Sequence, residues 1–320
     1  MGPSSFVISL DFELMWGVRD HADKKRYGQN VLGAREAIPR ILDLFERYAI
    51  RATWAAVGFL FCENKDHLMA SMPSELPRYR DNKLSNYAYL DEVGYSEADD
   101  PYYYGLSLIR RIAQAPGQEI GSHSFSHYYC LEPGQTLAQF EADIDAALAV
   151  SKQSSIELRS FVFPRNQYAP EHLAVLRRRG FTAFRGNERS WVYRPSDGAG
   201  QSKLRRAVRL ADHYANLTGH HIYDIYAAGT REGLTEVTSS RFLRPYSARL
   251  APLEPMRITR IKSSMDVAAA NGGIYHLWWH PHNFGLDIDE NVAVLRQVLD
   301  HFARHRERAG MTSRNIGDFA

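Results

Sequence analysis

The sequence predicts a mixed α/β protein: one incomplete barrel of parallel strands with helices around it. Three observations predict it. Short apolar or β-branched runs recur along the whole 320-residue chain. Most are separated by segments whose apolar residues repeat at three and four, the helical period. No low-complexity linker or internal repeat interrupts the alternation, which is the pattern of βαβ units in a parallel sheet. A doubly wound open sheet is the alternative within this class. Composition agrees: 44% hydrophobic and 24% charged residues exclude a disordered, collagen-like or coiled-coil chain. The formal net charge of +2 gives no global attraction to nucleic acid, and no nucleic-acid motif accompanies it.

The run FVISL at 6–10 reads as a buried strand that ends in Asp11-Phe12-Glu13. Residues 32–48 carry Ile38, Ile41, Leu42, Leu44 and Phe45 on one helical face. RATWAAVG at 51–58 is the next strand. The stretch from 62 to about 104 is rich in Tyr, Asp, Asn and Pro without periodicity, and reads as an insertion that covers the rim or lines a substrate site. A helix is expected over 104–115 and a short strand over 119–122. The helix at 136–151 shows Leu137, Phe140, Ile144, Ala147 and Leu148 on one face. A strand at 160–163 and a helix at 170–179, closed by Gly180, follow. A strand at 181–184 comes next. Residues 185–255 read as a second insertion. The last pair is a strand at 273–279 and a helix at 289–304. Adjacent Trp278 and Trp279 must face opposite sides of their strand.

Active sites of such folds sit at the C-terminal ends of the parallel strands. Polar residues that directly follow a predicted strand are Asp11, Glu13, His123, His127, Arg165, His280 and His282. Scattered in sequence, they would meet on one rim. His123 and His127 are four apart, so on a helical turn both imidazoles would face one way and suit a Zn²⁺-type ion. A carboxylate would complete three protein ligands and leave positions open. Asp11 and Glu13, two apart on an extended segment, point to the same side. One can ligate an ion while the other takes a proton from water.

With those residues assembled, the chain resembles the polysaccharide deacetylase superfamily, also called carbohydrate esterase family 4 or the NodB-homology domain. The resemblance rests on SLDFE near the start, ATWAAVG at 52–58, EIGSHSFSH at 119–127, FPRNQ at 163–167 and HLWWHPHNF at 276–284. EIGSHSFSH is the most specific block, because it fits the family's His-[Ser/Thr]-x-x-His metal motif. The resemblance implies a distorted, incomplete (β/α) barrel with inserted loops, a single catalytic domain over 1–320, and metal-dependent removal of acyl groups from sugars. It also implies roles. Asp11 resembles the catalytic base, and His123 and His127 the metal ligands. Ser124 resembles the residue supporting that loop, and His280 the general acid, with His282 its rival. Arg165 resembles the arginine that holds the base. Phe12 stands where the family commonly has a second aspartate, so Glu13 is the candidate third ligand. Pro164 precedes Arg165, where the family motif usually reads Arg-Pro. Zinc is the family's default ion.

The segment 185–255 is basic, with Arg189, Arg194, Lys203, Arg205, Arg206, Arg209, Arg231, Arg241 and Arg244. Arginine suits phosphate through paired hydrogen bonds, although a solvated basic surface has the same composition. Cys62 and Cys130 are too few for a disulfide framework, so reduced thiols are expected. No stretch is apolar enough to span a membrane, and no basic-then-apolar leader precedes the first strand. The expectation is a cytoplasmic enzyme acting on a phosphate-linked acylated sugar of surface-polysaccharide synthesis, such as O-antigen or capsule. The other expectations are an inactive carbohydrate-binding relative, or a hydrolase of small non-sugar amides.

Overall fold

β1 (Ser5–Phe12) is buried along its whole length, as a strand covered on both faces must be. In the computed structural model, which describes residues 4–193, 203–224 and 230–320, it is an interior strand of one sheet, paired on both sides. The other strands are β2 (Ala52–Ala56), β3 (Gln118–Ser122), β4 (Ser160–Phe161), β5 (Ala183–Gly186), β6 (Thr230–Arg231), β7 (Leu234–Thr238), β8 (Arg241–Phe242), β9 (Ile274–Trp279) and β10 (Thr312–Arg314). The order is β6–β7–β5–β4–β3–β2–β1–β9–β8, with β10 also pairing with β1. All pairings between these strands are parallel except the β6–β7 hairpin.

The sheet curls into an incomplete barrel. Val7, Ala55, Val162, Ala183, Val237 and Ile274, from strands across its width, form one small inner cluster with Ile316 of the C-terminal turn. A flat sheet cannot bring these together. Phe6, Ile8, Leu10 and Phe12 instead join the large outer core under the helices. The alternation of β1 therefore puts Ser9 and Asp11 on the inner face with Val7. Trp279 packs outward against Phe45, while Trp278 lies over the Arg185 guanidinium, 4.3 Å from its carbon.

The helices are α1 (Lys24–Tyr48), α2 (Lys65–Ala70), α3 (Leu106–Gln114), α4 (Leu137–Gln153), α5 (Pro170–Arg178), α6 (Lys203–Asp212), α7 (Glu254–Asn271) and α8 (Ile288–Ala309). Helix α1 starts two turns before the expected 32, because the Asp23 carboxylate caps the Arg26 N–H at 2.8 Å. Its early turns bury only Gly28 and Val31, too thin a stripe for periodicity to show. Helix α4 opens with a reciprocal Thr136–Gln139 capping box. Strand β5 runs two residues later than expected. The Phe181 N–H is still bonded to the Leu176 carbonyl at the end of α5, so sheet pairing begins at Ala183 and Arg185 falls on the strand.

Both expected insertions carry short elements of their own. Residues 62–104 hold α2 and two 3-10 segments. Residues 185–255 are not simply inserted: β7 pairs with β5 and β8 with β9, so they extend the barrel wall. The run is chemically mixed, which hides these short strands. Arg194 lies outside the described residues. Both cysteines are buried and unbonded. No described helix is long and apolar enough to cross a membrane.

The end of α6 offers a test of stability. Asp212 is fully buried and accepts from Leu217 N–H, Thr218 N–H, Thr218 Oγ1 and Tyr193 OH, each at 2.9 Å, beside Arg241 at 3.2 Å. Burial pushes its carboxyl up, but Arg241 and these donors outweigh it and hold the pKa at about 2. A folded pKa below the unfolded one contributes stability above about pH 4 that is lost as pH falls toward 2. The shift corresponds to roughly 2 kcal/mol. Denaturant midpoints between pH 3 and 7 should show wild type well above Asp212→Asn at neutral pH, with the gap narrowing below pH 4. A constant gap would refute this.

Candidate active site and metal centre

The inner face of β1 delivers Asp11, and Glu13 follows one step past the strand. Both are 3% exposed. The loop after β3 brings His123 and His127 to the Glu13 carboxylate, with Nε2–Oε2 distances of 3.3 and 3.0 Å. The turn after β9 brings His280 and His282 to its other oxygen, at 3.6 and 3.9 Å. One carboxylate is thus ringed by four imidazoles. Burial pushes Glu13 up, but His280, His127 and His123 reverse this and hold it well below the usual carboxylate range.

The His123–His127 loop is not the helical turn that its spacing predicts. Ser124 and His127 both have left-handed backbones, with φ of 61° and 59°. The loop converges its imidazoles because it is tied down. The buried Asp143 carboxylate of α4 accepts from the N–H groups of Phe125 and Ser126 at 2.7 and 3.1 Å and from the Ser126 hydroxyl. Ser124 Oγ accepts from the Tyr128 N–H at 2.7 Å. From the segment 62–104, the Asn86 amide donates to the Trp16 and Ser126 carbonyls, and the Tyr79 hydroxyl accepts from the Tyr129 N–H. That segment braces the histidine loop from outside. Sequence reasoning missed Asp143, yet an acid beside Ile144 on the apolar face of an amphipathic helix is a signal for such a buried anchor.

Asp11 is held by an arginine, but not by Arg165. Arg185 makes a two-pronged pair with it, Nη1–Oδ1 2.5 Å and Nη2–Oδ2 2.8 Å. Its Nη1 also donates to Ser9 Oγ and its Nη2 to Asn166 Oδ1. Burial would raise the Asp11 pKa, but Arg185 chiefly, with His123 and His280, brings it below the ordinary value. Arg165 instead pairs with Asp20 and with Glu132 and lies over the Tyr129 ring. The reason is local. Strand β4 is two residues long, and the chain leaves it through Pro164 into a tight turn where Arg165 has φ 53°, so its side chain points to the outer rim. Arg185 stands two residues after inward-facing Ala183 and therefore points inward.

The two late histidines differ. His280 is 23% exposed at its side chain, with Nε2 3.8 Å from Asp11 and Nδ1 held by Asn283 Oδ1 at 3.1 Å. His282 is buried, and burial together with His280 lowers its pKa to about 3, so it stays neutral at pH 7. The rings stack with centroids 5.0 Å apart.

The donor set fits a divalent transition ion. Donor atoms of Glu13, His123 and His127 all lie within 4.8 Å of one another. His123 Nδ1 faces the Val162 carbonyl at 2.8 Å; donating there leaves the Nε2 lone pair aimed at the cluster, the usual outer partner of a metal-bound histidine. His127 is kept below its ordinary pKa by burial, against Glu13, so its neutral, ligating form prevails. Gly17 makes room for the carboxylate: a Cβ there would stand 1.9 Å from Glu13 Cδ. Gly17→Ala should displace Glu13 and weaken zinc binding at least tenfold while leaving the fold intact, as read by competition with a chelating dye. Unchanged affinity would remove Glu13 from the ligand set.

A family model described as polysaccharide deacetylase matches residues 27–184. That span includes His123, His127 and Arg165 but stops short of Asp11, Glu13, Arg185 and His280. Among solved structures, a Mycobacterium smegmatis protein assigned to the polysaccharide deacetylases superposes with a TM-score of 0.59 at 12% identity, over 99% of this chain and 92% of that one. The PuuE allantoinase superposes at 0.53 and 13% identity, over 98% and 87%. A GH57-type branching enzyme of Pyrococcus horikoshii gives 0.52 and 15%, over 99% and 69%. No curated protein sequence matches the chain. At these identities the superpositions establish the fold, a distorted and incomplete (β/α) barrel.

Proposed function

We propose that this chain is a member of the polysaccharide deacetylase family, whose model matches residues 27–184, and a metal-dependent amidohydrolase that removes an N-acetyl or N-formyl group from a sugar. The observation that carries the reading is the placement of one arginine-held aspartate, one half-buried histidine and a Glu-His-His donor set at the barrel rim, each linked to the next by a contact under 4 Å. Glu13, His123 and His127 would hold the ion, most simply zinc. When bound, it supplies Lewis-acid polarisation of the acyl carbonyl and a lowered water pKa. Asp11, kept ionised by Arg185, takes the proton of the attacking water. His280 Nε2 gives a proton to the departing amine nitrogen, with Nδ1 anchored on Asn283. His282, neutral and buried, positions the His280 ring by stacking.

The substrate class rests on other features. Arg189 is exposed three residues past β5, at the strand end where the site lies; its guanidinium lies 5.2 Å from the centre of the Tyr223 ring and has no ion-pair partner among the described residues, which suits a phosphate. Other arginines of the segment are engaged within the protein, Arg231 with Glu236 and Arg241 with Asp212. A nucleotide- or lipid-linked amino sugar of bacterial surface-polysaccharide synthesis, such as O-antigen or capsule, answers this arrangement, and on this reading the reaction is cytoplasmic.

The test is release of acetate or formate by zinc-loaded protein. Nucleotide-linked N-acetyl and N-formyl amino sugars should be turned over, and His127→Ala should abolish it together with zinc binding at this site. Turnover of allantoin alone, the substrate named by one fold neighbour, would sink the sugar reading. Zinc binding without release from any acylated sugar would leave an inactive binding relative.

A further inference from the structure

We propose that the protein carries a second divalent-metal site on its outer surface, built from Asp266 of α7 and His301 and His305 of α8. The side chains lie on different elements from those that carry the rim chemistry. His301 and His305 stand four apart on α8, so both imidazoles face the same way. The neighbouring helix α7 places one carboxylate oxygen between them. His301 Nε2 is 2.6 Å from Asp266 Oδ1, His305 Nε2 is 2.7 Å from the same oxygen, and the two Nε2 atoms are 3.2 Å apart. Three donors around an ion with metal–ligand bonds of about 2.0–2.1 Å stand about 3.3 Å apart in tetrahedral geometry. The three atoms need move apart by only fractions of an ångström to admit it.

The chemistry of the set selects the ion. Two imidazoles and one carboxylate suit zinc, cobalt, nickel or copper and do not suit calcium or magnesium, which take oxygen ligands. The imidazole side chains are 15% and 20% exposed and the carboxylate 52%, so open positions face water.

One neighbour works against the ion. Arg304 donates to His301 Nδ1 at 3.0 Å. That bond favours the tautomer with hydrogen on Nε2, the atom that must ligate. Ion binding moves the proton to Nδ1 and releases Arg304 to solvent. Arg304 therefore weakens the site, and its removal should tighten it.

An ion here would join α7, which leads into β9, to α8, which follows the turn bearing His280 and His282. Its function is that of a clip across the two helices bracketing this part of the rim.

The experiment uses full-length His123→Ala/His127→Ala protein, so that the rim set does not contribute, titrated with Co²⁺ and followed by visible absorption, elemental analysis and melting temperature. The expected result is one cobalt per chain, ligand-field absorption and a raised melting temperature. Adding His301→Ala or Asp266→Asn should weaken binding at least tenfold without changing the ion-free melting temperature. Adding Arg304→Ala should strengthen it several-fold. Absence of cobalt binding in the His123→Ala/His127→Ala protein would overturn the site, as would binding indifferent to His301 and Asp266. If His301→Ala perturbs folding, the solvent-exposed Asp266→Asn decides the question alone. The outcome is independent of whether the rim performs hydrolysis.

Discussion

Asp11→Asn should lower kcat by about 10²–10⁴-fold, the usual worth of a positioned general base, with zinc content unchanged. The substitution keeps size and removes only the basic oxygen. Asp11 makes no part of the Glu13–His123–His127 donor set, so the ion should stay. The affected step is proton removal from water, so KM should change little. Acetate or formate release by the zinc-loaded variant, beside its zinc content, is the measurement. Near-full turnover with zinc bound would remove Asp11 from the base role. Loss of zinc would instead make it a ligand.

The second large effect separates two arginines. Arg185→Met should abolish most activity and destabilise the protein by about 3–5 kcal/mol, because it leaves the buried Asp11 carboxylate without its partner. Arg185 is 1% exposed and makes four hydrogen bonds to Asp11, Ser9 and Asn166. Arg165→Met should cost less than Arg185→Met and spare most of the activity, since the Arg165 side chain is 31% exposed and meets neither Asp11 nor the donor set, although its partners Asp20 and Glu132 are only 8% and 6% exposed. Chemical denaturation and turnover of both variants decide it. Equal effects, or a larger one at Arg165, would restore the assignment implied by the sequence motif. The double variant Asp11→Asn/Arg185→Met should be more stable than Arg185→Met alone, because removing the second charge relieves the first loss.

Much of this was legible in the sequence for a physical reason. Buried parallel strands are short apolar runs, and FVISL, ATWAA and IYHLWW stand out from their surroundings. Helices with a wide apolar stripe, such as α4, show their period directly. Because active-site residues of such a fold follow its strands, Asp11, Glu13, His123, His127, His280 and His282 could be named together before their contacts were known. Weakly patterned parts were not legible. Strands β7 and β8 lie in a basic, chemically mixed stretch, and their strand character comes from pairing with β5 and β9. The beginning of α1 rests on a cap and two small buried residues.

The sequence by itself determined the alternation of strands and helices, the side chains at the strand ends and the donor types that suit an ion, because burial and ligand chemistry are properties of residue type and spacing. Only the tertiary structure decided which arginine meets Asp11, that His123 and His127 converge from a strained loop anchored on Asp143, and that Asp266 meets His301 and His305. Those depend on where strands end and how the sheet curls. A two-residue shift in β5 and a two-residue β4 exchange the fates of Arg185 and Arg165, and such small displacements are set by long-range pairing that no local pattern records.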